Sequence, residues 1–106
     1  MTDEQRILGY LGLAAGGRRI ESGEDQTEKT VRNGRAHLVL IAGDASENTK
    51  KKFRNLCDYY EVPCFVFSDR ATLGRTIGRR FRASCVLTDS GLAKAVIGIL
   101  NRQVQA

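Results

Sequence analysis

One segment of the sequence combines a glycine with side chains that can recognise phosphate and guanine. Residues 22–29 read Ser-Gly-Glu-Asp-Gln-Thr-Glu-Lys, a pattern that predicts the start of a helix. The free backbone N–H groups at a helix start attract anions, and Gly23 lets a phosphate backbone approach closely. Gln26 and Lys29 carry donors that suit the O6 and N7 acceptors of guanine. In the simpler alternative, Asp25 is only a helix cap and Lys29 its ion-pair partner four residues on.

A second segment, between residues 70 and 82, concentrates positive charge. It contains no acid and five arginines, namely Arg70, Arg75, Arg79, Arg80 and Arg82. The whole chain has 17 Lys plus Arg against 12 Asp plus Glu, and residues 35–106 hold all of this excess. Such clustering favours a polyanion as partner, with a merely solubilising surface as the alternative.

The sequence offers little for catalysis. It has a single histidine, His37, and three cysteines, Cys57, Cys64 and Cys85. Each cysteine falls in an apolar helix stripe or strand, where a reduced thiol behaves as a small hydrophobic group. No glycine pattern of a nucleotide-binding loop follows a strand. Asp44 follows a strand as a phosphoacceptor would, but the acidic pair that such a site needs after an earlier strand is missing. We therefore expect no catalytic residue, cofactor, metal or small-molecule substrate, and an enzyme using Cys64 or Cys85 with His37 is the weakest alternative.

The cellular setting is also indicated by composition. An odd number of cysteines, none in a Cys-x-x-Cys pair, is typical of a reducing environment. The longest apolar runs, such as residues 38–42, are too short for a membrane span or a signal peptide. The sequence predicts a cytoplasmic protein without a membrane partner.

The two candidate binding segments must be positioned by helices and strands, which alternate along the chain. The length of 106 residues predicts one domain over residues 1–106. Helix starts are predicted at Thr2-x-x-Gln5, Ser22-x-x-Asp25, Asp44-x-x-Glu47, Ser68, and Thr88 or Asp89. Apolar strands are predicted at 38–41, 64–67 and 84–87, with a short one near 19–21. Strands this continuously apolar predict a central sheet covered on both faces, an α/β/α sandwich.

Four motifs stand out by their order and spacing: Gly23-x-x-Gln26-x-x-Lys29, the run from Val31 to Ser46, Tyr60-x-Val62-Pro63, and Leu73-Gly74. Together they resemble the ribosomal protein L7Ae/L30e family over residues 5–100. The run from Asp44 to Lys52 and the short chain are similar to its small bacterial members in particular. The resemblance implies a three-layer α/β/α sandwich around a mixed four-stranded sheet. It also implies non-catalytic binding of kink-turn RNA, an internal bend flanked by sheared G·A pairs, and an association with the ribosome or translation.

The resemblance further implies which residues bind RNA. The family's Asn-Glu-x-x-Lys signature falls on Asp25, Gln26 and Lys29, so two of its three positions differ here. The loop from 78 to 84 is arginine-rich where the family is mostly apolar, and arginine both binds phosphate and stacks on bases. The expected RNA-binding residues are Gly23, Asp25, Gln26, Lys29, Arg32, Arg79, Arg80 and Arg82. Because the Asp25 carboxylate lacks an amide donor, the alternative is a protein-interaction module that keeps the fold without the RNA signature.

Overall fold

The computed structural model describes residues 1–105, which form five helices and four strands. In chain order these are α1 (Asp3–Gly16), β1 (Ile20–Ser22), α2 (Glu24–Arg32), β2 (Leu38–Ile41), α3 (Glu47–Tyr60), β3 (Cys64–Val66), α4 (Arg70–Thr76), β4 (Ser84–Leu87) and α5 (Ser90–Gln105). None of the helices in this range is long and apolar enough to cross a membrane.

The four strands form one mixed sheet in the order β1-β4-β2-β3. β4 runs antiparallel to both β1 and β2, whereas β2 and β3 are parallel. Helices α1 and α5 pack together, as do α2 and α3, and both groups contact the sheet. All four residues of β2 and of β4 are buried, as strands covered on both faces must be. The predicted α/β/α sandwich is confirmed.

The core fills the space between the sheet and both helical layers. Its largest fully buried side chains include Phe53 of α3, Ile7 and Leu11 of α1, and Leu73 of α4. They pack with the apolar side chains of β2 and β4 in one cluster. These apolar side chains of the helices therefore face the sheet.

The first and last helices begin as the sequence predicts. Thr2 Oγ1 accepts the N–H of Gln5 at 3.1 Å, and the Gln5 side chain accepts the N–H of Thr2 at 2.9 Å, a complete capping box. At α5 the Asp89 carboxylate accepts the N–H of Leu92 at 2.8 Å. The short strand near residue 20 is also present as β1.

Two predicted helix starts are wrong by one or two residues. α3 is capped by Ser46, not by Asp44, whose carboxylate instead accepts the N–H of Arg70 at 2.9 Å, at the start of α4. α4 is capped by Asp69, not by Ser68, whose φ of 58° lies in the left-handed region. A capping side chain accepts whichever free N–H the fold brings to it. Spacing along the chain therefore predicted the wrong N-cap for both α3 and α4.

The capping box predicted for α2 is also wrong. The helix is capped by Gly23 with no hydrogen bond from any side chain. Ser22 is instead the last residue of β1, and its hydroxyl oxygen accepts a hydrogen bond from Nε of Arg82 at 3.0 Å. This leaves the start of α2 open.

Candidate nucleic-acid interface

The start of α2 is an open cluster of backbone donors. Gly23 has φ 94° and ψ 156°, a conformation that is essentially restricted to glycine. A Cβ built at Gly23 would meet no atom within 4 Å, so the space in front of it is empty. Because no side chain caps this helix, its first N–H groups and its positive dipole end are accessible to an anion.

Three hydrogen bonds bring the arginine-rich loop between α4 and β4 against this helix start. Nε of Arg82 donates to Ser22 at 3.0 Å, and the N–H of Gly23 donates to the carbonyl of Ser84 at 3.1 Å. The buried Ser84 hydroxyl donates to the hydroxyl of Thr27 in α2 at 3.3 Å. The two segments that the sequence singled out are therefore adjacent in space.

A cavity of about 510 Å³ lies between these two segments. It brings together three of the predicted residues, Gln26, Arg79 and Arg82. Its remaining lining comes from the end of α1, from β1 and from the end of α4: Ala15, Arg18, Ile20, Glu21, Ser22 and Ile77. The cavity is large enough to admit a base or a phosphate group.

Arg18 is a cavity residue that the sequence reasoning missed. It follows α1 with a left-handed φ of 57°, and the cavity lining includes it with Arg79 and Arg82. The signal was the pair of arginines directly after Gly16-Gly17, where a helix end turns the chain back toward the sheet. Three guanidinium groups thus surround a space whose one carboxylate, Glu21, is 3.9 Å from Arg35. The cavity carries a net positive charge.

A neighbouring groove holds the other predicted residues of α2. Asp25, Lys29 and Arg32 line it together with Glu28 and Asn33. Lys29 is exposed, and within residues 1–105 it forms no ion pair. The simpler interpretation of Lys29 as the ion-pair partner of Asp25 is therefore wrong, and its ammonium group is available to a ligand.

The glutamates of α2 are held by cations on the side that faces α3. Nζ of Lys52 lies 2.8 Å from Glu28 and 3.8 Å from Glu24, and Nε of Arg32 lies 2.9 Å from Glu28. The hydrogen bonds from Lys52 and then from Arg32 lower the pKa of Glu28 below its usual value. Arg32 is consequently engaged within the protein, unlike Lys29.

Arg80 and Phe81 form the exposed tip of the arginine-rich loop. Arg80 lines neither the cavity nor the groove, and Phe81 is 61% exposed. The sequence reasoning did not single out Phe81, although an aromatic residue among arginines is a known sign of base stacking. The loop backbone at these two residues lies directly over the buried Gly74 of α4.

Fold and site together define a small α/β/α protein with a basic cavity beside an uncapped helix start, at the β1 edge of the sheet. The sequence profile of the "Ribosomal protein L7Ae/L30e/S12e/Gadd45 family" matches residues 5–97. The chain belongs to this family, which confirms the resemblance inferred from its motifs.

Two curated relatives are similar over most of their length. The chain is 47% identical over 91 residues to the "RNA-binding protein YlxQ" of Bacillus subtilis (strain 168), which covers 86% of this chain and 91% of that protein. It is 39% identical over 92 residues to the protein of the same name from Enterococcus faecium, covering 87% and 88% respectively. Both relatives are thus named for RNA binding and not for a catalytic activity.

Two solved structures share the fold. A Bacillus halodurans protein described as having unknown function superimposes with a TM-score of 0.86 at 37% identity, covering 90% of this chain and 96% of that one. The "Giardia lamblia 15.5kD RNA binding protein" superimposes with a TM-score of 0.79 at 21% identity, covering 96% and 88%. At that lower identity the second likeness supports the fold alone.

Proposed function

We propose that the protein binds structured RNA, with a sharp internal bend of the kink-turn type as its preferred target. The observation that carries this proposal is the cavity that joins Arg18, Gln26, Arg79 and Arg82 beside the uncapped start of α2. RNA is recognised largely by shape and by bases turned out of the helix, which a rigid concave site can hold. The names of the bacterial relatives support RNA as the ligand.

Six of the predicted residues have a direct role in this proposal. Gln26 and Lys29 contact the base edges at the bend, and the N–H groups after Gly23 bind a phosphate. Arg79 and Arg80 bind the backbone on either side. Arg82 acts from a fixed position, since Ser22 and the carbonyl of Phe81 already hold its guanidinium group at 3.0 and 2.8 Å. A base turned out of the stack enters the cavity.

Two further residues extend the proposed interface beyond the sequence prediction. Arg18 adds a third guanidinium group to the wall of the cavity. Phe81 offers an exposed ring, and stacking of a base on such a ring contributes about 1–3 kcal/mol. Asp25 and Arg32 lie at the rim, in the groove beside Lys29.

We infer that the RNA is ribosomal or associated with translation, because the chain belongs to a family of ribosomal proteins. In this proposal residues 1–106 act as one cytoplasmic domain, without catalysis of their own. The protein would serve to stabilise one bent conformation of its RNA.

The proposal is tested by titrating the purified protein against a labelled kink-turn RNA and a straight duplex of matched length at several salt concentrations. Preference for the bent RNA that persists at high salt supports recognition of the bend. Equal and steeply salt-dependent binding to both RNAs shows that the arginines supply only nonspecific attraction. If neither RNA binds and a salt-independent complex with a protein forms instead, the interaction-module alternative is correct.

Variants test whether the RNA affinity comes from the proposed interface. Lys29→Ala and the double change Arg79→Ala, Arg80→Ala should weaken binding, and each lost phosphate contact should reduce the salt slope by about 0.7–0.9. The control removes the same charge from the exposed outer faces of α1 and α5, as Arg6→Ala with Lys94→Ala. An equal loss in the control would show that affinity follows net charge and not this surface.

A further inference from the structure

The fold brings two of the three cysteines together at the sheet edge opposite the candidate RNA interface. Cys57 lies in the last turn of α3, and Cys64 opens β3, the edge strand furthest from β1. Between them the chain turns back on itself, with the N–H of Val62 donating to the carbonyl of Cys57 at 2.8 Å. Both thiols line the same cavity of about 420 Å³.

The two thiols differ in access to solvent. Cys57 is buried, at 1% exposure, whereas Cys64 is half-buried at the cavity wall. Cys64 is therefore the more accessible of the two cysteines. Cys85 lies apart in the core strand β4, where complete burial raises its pKa to about 12 and keeps it unreactive.

The surroundings make the thiol of Cys64 more acidic, that is, they lower its pKa from the ordinary value. Interaction with the Cys57 thiol is the main cause that lowers the pKa of Cys64, and the positive charge of Arg54 acts in the same direction. The same interaction, with burial, raises the pKa of Cys57. Asp58 also lines the cavity and is its one carboxylate. A more acidic thiol beside a less acidic one is the arrangement that oxidation to a disulfide uses.

We propose that Cys64 is an oxidation site for hydroperoxides and that Cys57 captures the oxidised sulfur in an intramolecular disulfide. In the first step the Cys64 thiolate attacks one peroxide oxygen, so that an S–O bond forms, the O–O bond breaks and the departing hydroxide takes up a proton. In the second step Cys57 sulfur attacks Cys64 sulfur, the S–O bond breaks, and the hydroxyl leaves as water with the Cys57 proton. Two thiols and one hydrogen peroxide yield one disulfide and two waters.

The site is independent of the proposed RNA binding. The cavity of Cys57 and Cys64 lies at β3, and none of its lining residues belongs to the basic cavity at β1 or to the groove along α2. The disulfide would join the end of α3 to the edge strand. Reduction by a small dithiol would restore the starting state.

The experiment treats the reduced full-length protein with hydrogen peroxide, alkylates the remaining thiols and digests with trypsin. No Lys or Arg lies between residues 55 and 69, so one peptide, 55–70, contains both Cys57 and Cys64, while Cys85 falls in the peptide 83–94. We expect peptide 55–70 to lose two hydrogen atoms and to resist alkylation, while peptide 83–94 is alkylated at Cys85. Peptide 55–70 alkylated on both cysteines, or found linked to a second chain, would overturn the proposal.

Variants separate the two roles. In Cys57→Ala, Cys64 should accumulate as a sulfenic acid that dimedone traps, and in Cys64→Ser thiol loss should slow by about tenfold or more. Arg54→Ala should slow oxidation in the wild-type cysteine background. Cys85→Ser is the matched control and should oxidise like the parent protein. Thiol loss in Cys64→Ser at the parent rate would assign the reactivity to another cysteine and refute the inference, whatever the RNA affinity proves to be.

Discussion

Replacing Gly74 by alanine should show that the arginine-rich loop is pressed against α4. Gly74 is buried, and a Cβ at this position would lie 2.7 Å from the carbonyl carbon of Arg80 and 2.9 Å from the nitrogen of Phe81. The carbonyl oxygen of Arg80 is closer still. These are backbone atoms, so the loop itself must move to accept a methyl group.

The size of the effect follows from two opposing contributions. Alanine is favoured over glycine inside a helix by about 1 kcal/mol. Forcing an extra carbon into a packed contact costs about 1–3 kcal/mol, and the upper half of this range applies because backbone and not a flexible side chain must shift. Subtracting the helix preference of alanine leaves a net destabilisation of about 1–2 kcal/mol. At about 4 °C per kcal/mol for a domain near 100 residues, the melting temperature should fall by about 4–8 °C.

The assay is thermal unfolding of Gly74→Ala beside Gly98→Ala. Gly98 lies inside α5, where a Cβ would meet nothing within 4 Å, so alanine there should raise stability by about 0.5–1 kcal/mol. If Gly74→Ala lowers stability while Gly98→Ala raises it, the difference between these two glycine-to-alanine changes is due to the contact of Gly74 with the loop. RNA affinity should fall only for Gly74→Ala, because Arg79 and Arg82 follow the displaced backbone. If both variants melt above the parent protein, the loop does not rest on Gly74 and the reasoning fails.

Three further predictions concern the helix ends and the charges of α2. In urea unfolding, Asp69→Ala should lower the free energy of unfolding by about 1 kcal/mol and Ser68→Ala by much less, because Asp69 caps α4. Equal losses of stability in the two variants would contradict that assignment. Gly23→Ala should lower the free energy of unfolding by about 1–3 kcal/mol from backbone conformation alone, measured the same way, and an unchanged stability would exclude the positive φ of this residue. Lys52 lowers the pKa of Glu28, so the charged carboxylate stabilises the fold near neutral pH and this stabilisation is lost as pH falls through the lowered pKa. Glu28→Gln should therefore flatten the decline of stability on acidification, and a decline as steep as that of the parent would refute the role of this pair.

Much of the fold could be predicted because its signals are local. Apolar runs such as Leu38–Ile41 and the capping pattern at Thr2 act within a few residues of the chain, so their spacing predicts the element directly. The family motifs likewise lie in continuous stretches. The predictions of helix caps failed where a polar side chain could hydrogen-bond to more than one free N–H. Asp44 lies three residues before Glu47, where α3 begins, yet its carboxylate accepts the first N–H of α4, which the fold brings nearer.

Only some of the residues of the candidate site could be predicted from the sequence. Gln26, Arg79 and Arg82 were predicted from residue type and motif, and they do line one cavity. Arg18 was missed, because its place at the cavity depends on where the chain turns after α1. The separation of Lys29 into a neighbouring groove was not foreseen either.

The sequence by itself determined the elements, the family and the chemical types at the site, since these depend on short-range pattern. Only the tertiary structure decided which distant segments meet. β1 pairs with β4 across more than half of the chain, and this pairing brings Ser22 to Arg82 and leaves the start of α2 open. The parallel pairing of β2 with β3, which α3 separates along the chain, is a second contact of this kind. Neither contact is encoded in a local pattern, because strand order is fixed by how the whole core packs.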